Sequence, residues 1–227
     1  MFRDPMLIPL FEDNHLLVLN KPASLLTQPS GTDQESLEQQ AKTWLKETYK
    51  KPGNVFLEAV HRLDKPVSGI VLFSKTSKAL ARLNASMREK QARKLYWAWV
   101  EGEVASDQGT LENFLVHDDF HAKVVSVDRP GGKLARLSYR VLERKGDFTL
   151  VEIELATGRY HQIRSQWAAF GHPIVGDHKY GGRERYEQGA IALHHRFLQF
   201  PHPITHTTQT FEAPPPKGFK EISVFCQ

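Results

Sequence analysis

Apolar residues recur along the chain more often with the alternation of strands than with the period of helices. Residues 16–19 form a continuous apolar run stopped by Asn20, Lys21 and Pro22, the pattern of a buried strand entering a loop. Asp33 then opens a helix whose apolar positions Leu37, Ala41, Trp44, Leu45 and Thr48 return with helical spacing, and Pro52, Gly53 and Asn54 end it. Between residues 55 and 76 two apolar runs flank a charged centre holding Pro66 and Gly69. That pattern places residues 61–69 on a loop between strands. Ser77 caps a second helix with Leu80, Leu83 and Met87 on one face.

Strand alternation resumes at residues 95–100, with Tyr96, Ala98 and Val100 on one face and Leu95, Trp97 and Trp99 on the other. Residues 137–141 and 148–155 alternate in the same way, setting Val151, Ile153 and Leu155 against Glu152 and Glu154. After Thr157, Gly158 and Arg159 the period becomes helical: Ile163, Trp167 and Phe170 share a face and Gly171 terminates it. Residues 192–200 and 209–213 read as two further strands. Strands with a few inserted helices, and no shift of composition that marks a linker, predict one α+β domain on a largely antiparallel sheet.

Composition narrows the function classes. The chain has 227 residues, 40% hydrophobic and 25% charged, which excludes collagen-like and disordered chains. Its one cysteine, Cys226, excludes a disulfide scaffold and a cysteine zinc site and fits a reducing compartment. Asp4, Pro5 and Pro9 interrupt the segment where a secretory signal needs unbroken apolar residues. The longest apolar run, residues 95–100, falls far short of the ~20 residues that span a bilayer. The expected location is the cytoplasm, with no membrane partner. The net charge of +4 is modest, but residues 75–94 carry Lys75, Lys78, Arg82, Arg88, Lys90, Arg93 and Lys94 against one acid, Glu89. Such a cluster suits a phosphate backbone, although on charge alone a solvated helix face reads equally well.

Two constellations carry candidate chemistry. Asp64 sits between Arg62 and Lys65, whose charges favour its ionised form. A carboxylate held on a rigid loop can act as a base or as a nucleophile on an anomeric carbon, and equally as half of a surface ion pair. The loop alone leaves these open. His194, His195, His202 and His206 raise a metal-dependent hydrolase, but no companion Cys or Glu-containing motif supports it.

The literal strings go further. His61-Arg62-Leu63-Asp64, followed by Ser68-Gly69 and an apolar strand, resembles the signature loop of pseudouridine synthases, and more narrowly that of the RluA-type family. Asn20-Lys21-Pro22 is similar to the family's N-terminal element, and Lys94-Leu95-Tyr96 to its basic-then-tyrosine strand. Residues 155–164, ending Tyr160-His161-Gln162-Ile163-Arg164, and the following Gly171-His172-Pro173 to Gly176-Asp177 look like its last motif. The resemblance runs in order from about His15 to Pro214.

It implies the pseudouridine synthase fold, a long, mostly antiparallel mixed sheet with flanking helices and a central catalytic cleft. It implies isomerisation of uridines in structured ribosomal or transfer RNA after base flipping, with no cofactor and no metal. The N-glycosidic bond breaks, the uracil turns in place, and C5 joins the ribose carbon that N1 left. Asp64 would be the catalytic aspartate, attacking C1′ or removing the 2′ proton. Tyr96 would pack on the target base, and Arg164 would pair with Asp64. Arg62 would enter the RNA helix or touch its backbone, with His61, Arg93 and Lys94 beside it on the RNA. The expected organisation is a monomer whose single catalytic domain covers residues 1–227, without a separate N-terminal RNA-binding module. A non-catalytic RNA-binding protein on the same scaffold is the alternative. Val67 replaces the family's usual Thr before Ser-Gly, and Gln166 a common His. On helical period alone Arg164, one step from Ile163, would face solvent.

Overall fold

In a computed structural model of the chain, residues 7–220 and 222 are described. The expectations that rest on Asp4, Pro5 and Cys226 lie outside them. Contacts divide the chain into two compact units: one runs to Ala92 and includes Phe197–Pro214, and the other comprises Arg93–Arg196 with the residues from Pro215.

In the first unit β1 (Phe11–Glu12) pairs antiparallel with β2 (Leu16–Lys21). The apolar run of β2 is buried from Leu16 to Leu19, as its lack of polar alternation predicts. Helix α1 (Leu37–Thr48) starts later than the sequence expectation of Asp33. Ser36 forms a capping box with Gln39, accepting from its backbone N–H at 3.3 Å while donating its own N–H to the Gln39 side chain at 3.0 Å. That reciprocal pair satisfies two helix-end donors, so the acidic residues ahead of it stay outside the helix. Strands β3 (Glu58–Ala59) and β4 (Ser68–Ser74) follow, and β4 lies antiparallel to both β2 and β3. Helix α2 (Ser77–Arg88) is capped by Thr76, one residue before the expected Ser77. Leu16, Val18, Ile70, Leu72 and Leu83 form the core with Leu198, Phe200 and Ala213. Each large aliphatic side chain there stabilises by about 1.5–3 kcal/mol.

The second unit holds β5 (Arg93–Glu101), β6 (Gln108–Asp118), β7 (His121–Val125), β8 (Lys133–Lys145) and β9 (Phe148–Leu155). They lie antiparallel in the order β5-β9-β8-β6-β7. Helix α3 (Gln162–Ala169) then leads through Gly171, at φ 92°, to a 3-10 turn at His178–Tyr180. Strand β10 (Leu193–Pro201) has residues in both units, and its second half pairs antiparallel with β11 (Thr208–Glu212). The α+β class on a largely antiparallel sheet is as expected. Strands β6 and β7 were not anticipated. They expose one face and mix charges among few buried positions, which weakens the alternation in their sequence. Among the described residues no helix is long and apolar enough to cross a membrane.

Candidate active site

Asp64 is half-buried on the loop that leads into β4. The backbone around it is held from several directions. The Val67 N–H donates to the Asp64 carbonyl at 3.0 Å, and the Leu72 N–H donates to Nε2 of His61 at 3.2 Å. The Thr27 hydroxyl donates to the Leu63 carbonyl at 2.8 Å and accepts from the Leu63 N–H at 3.1 Å. His61, expected on the RNA, thus also ties the loop to β4. Arg62 is exposed.

Lys21, at the end of β2, is fully buried, and the sequence noted it only as part of a motif. Its Nζ donates to the carbonyls of Pro22, Leu25 and Lys65 at 2.9, 2.7 and 3.2 Å. Burial pulls its pKa down to about 7, with the Asp64 carboxylate acting in the opposite direction. An ammonium supplies three donors for these three carbonyls, whereas the neutral amine supplies two. The folded-state value lies below that of an unfolded lysine, so from about pH 7 to about 10.5 the unfolded chain binds more protons. Wild-type stability should therefore rise with pH across that window relative to Lys21→Met, which cannot titrate. Melting temperatures of both proteins across the window check this. A constant difference between them overturns it.

In the second unit, Tyr96 on β5 is 7% exposed and stacks on His195, with ring centroids 4.4 Å apart and planes 14° apart. His195 entered the sequence reading only as part of the metal alternative. Its position beside Tyr96 is set by strand pairing that no local pattern carries. Among the described residues no group of three or more His, Cys, Asp or Glu gathers as a metal site. His202 bonds Asp13 at 2.9 Å instead.

Arg164 departs from the solvent-facing position that its helical period predicts, being 5% exposed. Its Nε and Nη2 donate to the two carboxylate oxygens of Asp177, 1% exposed, at 2.7 and 2.8 Å. The fork of a guanidinium matches a carboxylate in this two-bond geometry, which offsets the cost of burying both charges. Nη1 lies 3.1 Å from Nε2 of His161, and the guanidinium sits over the Tyr180 ring at 5.0 Å. Arginine only donates, so Nε2 of His161 accepts, and the imidazole proton is on Nδ1, directed to the Tyr180 hydroxyl at 2.7 Å. Burial, reinforced by the charge of Arg164, holds the His161 pKa down at about 3, so the ring stays neutral. In the sequence Asp177 is only the end of a motif, and nothing local signals that it meets Arg164, 13 positions away.

The basic stretch is less free than its charge sum implies. Lys75 pairs with Glu12 at 2.6 Å, Arg82 donates to the Pro203 carbonyl at 2.8 Å, and Arg93 pairs with Glu154 at 2.9 Å. Lys94 is partly buried, which lowers its pKa. Lys78, Arg88 and Lys90 are exposed.

The relationship of this chain to known proteins rests on most of its length. A family model described as RNA pseudouridylate synthase matches residues 15–169. The chain belongs to that family. The dual-specificity RNA pseudouridine synthase RluA of Pasteurella multocida is 36% identical over 214 residues, covering 93% of this chain and 94% of that protein. An uncharacterized RNA pseudouridine synthase, YhcT, of Bacillus subtilis is 36% identical over 216 residues, covering 94% of this chain and 70% of that one. The human RNA pseudouridylate synthase domain containing 4 shares the fold at a TM-score of 0.79 and 22% identity, covering 93% of this chain and 90% of that one.

This RNA pseudouridine synthase is thus an isomerase, and its macromolecular partner is RNA. Both departures from the family pattern are buried inside the protein. Val67 is 2% exposed, where a methyl in place of a hydroxyl needs no hydrogen-bond partner. Gln166, 1% exposed, shares the two N–H groups of its amide among the Leu111 carbonyl, the Asn113 side chain and the Ala135 carbonyl at 3.2, 2.8 and 3.2 Å, while its Oε1 is buried without a hydrogen bond.

Proposed function

We propose that Asp64 is the catalytic carboxylate of this pseudouridine synthase and that the substrate is a uridine in structured ribosomal or transfer RNA. The observation that carries the reading is the fixed backbone on both sides of a half-buried Asp64, with buried Lys21 within electrostatic reach. Pre-positioning of this kind is what an attack on C1′, or removal of the 2′ proton, requires of a side chain. Tyr96, already stacked on one side by His195, is to pack on the flipped uracil. Arg164 is to pair with the Asp64 carboxylate and orient it. Exposed Arg62 is to contact the RNA as the nucleotide leaves its stack, with His61, Arg93 and Lys94 near the backbone. The enzyme is to act as a monomer in the cytoplasm, without a cofactor. Ribosomal RNA is supported by relatives such as the ribosomal large subunit pseudouridine synthase D of Pseudomonas aeruginosa, 34% identical over 223 residues.

Pseudouridine mapping across total RNA from a strain lacking the gene tests the substrate. At least one site in ribosomal or transfer RNA should disappear and return when the gene is restored. An unchanged map overturns the assignment.

A further inference from the structure

We propose that Thr27 is a positioning residue for catalysis, fixing the peptide plane from which the Asp64 side chain departs. The inference rests on the reading of Asp64 as the catalytic carboxylate. Thr27 lies outside every motif that the sequence singled out. It is 3% exposed, and its single hydroxyl closes on both backbone groups of Leu63, donating to the carbonyl at 2.8 Å and accepting from the N–H at 3.1 Å. The Leu63 carbonyl and the Asp64 nitrogen share one planar peptide, so holding that carbonyl fixes the plane entering Asp64. The Val67 N–H, 3.0 Å from the Asp64 carbonyl, fixes the plane leaving it. With both planes set, only the side-chain torsions of Asp64 remain to aim its carboxylate.

Thr27 can act as an anchor because it is itself anchored. The Leu37 and Glu38 N–H groups, at the start of α1, donate to the carbonyls of Leu26 and Thr27 at 2.8 and 3.1 Å. Helix-end donors have no partner within their own helix, and here they are spent on the segment that carries the clamp. Lys21 adds a second tie beyond Asp64 through the Lys65 carbonyl at 3.2 Å. The Asp64 loop is thereby referred to a helix rather than left to its own turn.

Thr27→Val keeps the shape and removes the hydroxyl; Thr27→Ser restores it. The test is single-turnover pseudouridine formation, with enzyme in excess, on total RNA from a strain lacking the gene, well below each protein's Tm. The limiting rate of Thr27→Val should fall by roughly tenfold to a hundredfold, with the half-saturating enzyme concentration unchanged. Thr27→Ser should recover most of the rate. Hydrogen exchange at the Leu63 amide should quicken in Thr27→Val and not in Thr27→Ser. A purely structural role would lower the Tm and leave the limiting rate of folded protein untouched, and that result overturns the proposal. If Thr27→Val does not fold, Thr27→Cys replaces it, since its thiol is a weak donor: a lowered limiting rate supports the clamp and a wild-type rate overturns it. Asp64→Ala runs in the same assay. Activity there overturns the Asp64 reading and the clamp's catalytic role together, whereas an inactive Asp64→Ala beside a fully active Thr27→Val overturns the clamp alone.

Discussion

Asp64→Ala is expected to abolish pseudouridine formation while RNA affinity is retained. Removing a nucleophile or general base costs at least about 10²–10⁴ in rate, and no neighbouring group on the loop replaces it: Arg62 and Lys65 are cations and Leu63 is apolar. Affinity should hold because phosphate backbones are bound chiefly by cations, and the substitution removes a negative charge rather than a positive one. One stability effect accompanies the loss. The Asp64 carboxylate favours the charged form of buried Lys21, so its removal leaves that ammonium less compensated. A modest drop in Tm is therefore expected, and Asp64→Asn, closer in shape, separates it from the chemical loss. The measurement is pseudouridine content in RNA from deletion cells expressing wild-type or variant protein. Equal content in the two overturns the catalytic assignment and favours a binding protein on the same scaffold.

The sequence carried the candidate site as strings but not as interactions. The Asp64 loop was legible because two apolar runs bracket it, and both proved to be strands or strand edges. Its supports were not, because they depend on contacts distant in sequence: Thr27 reaches Leu63 across 36 residues and Lys21 reaches Lys65 across 44. Arg164 shows the limit of periodicity most directly. Its angle on the helix sends it to solvent, and a buried acid turns it inward instead. The β6–β7 hairpin was missed for a different reason. Its turn carries Asp119 at φ 50° followed by Phe120 rather than glycine, so no turn signal marked it.

The second large effect concerns that buried pair. Asp177→Ala should destabilise the protein by about 3–5 kcal/mol, because it removes the two-bond carboxylate partner of a buried guanidinium. His161 is neutral and lends one acceptor, and the Tyr180 ring offers only its face. Arg164→Met with Asp177→Ala removes both charges and fills part of the space with apolar atoms, so the double variant should be more stable than Asp177→Ala alone. Chemical denaturation of the four proteins in the cycle measures this coupling. Additive losses would mean that the two side chains do not depend on each other for stability. Activity then separates structure from chemistry. If Arg164 is needed only to satisfy Asp177, the double variant regains function with its stability; if its charge serves the reaction, the variant stays folded and inactive.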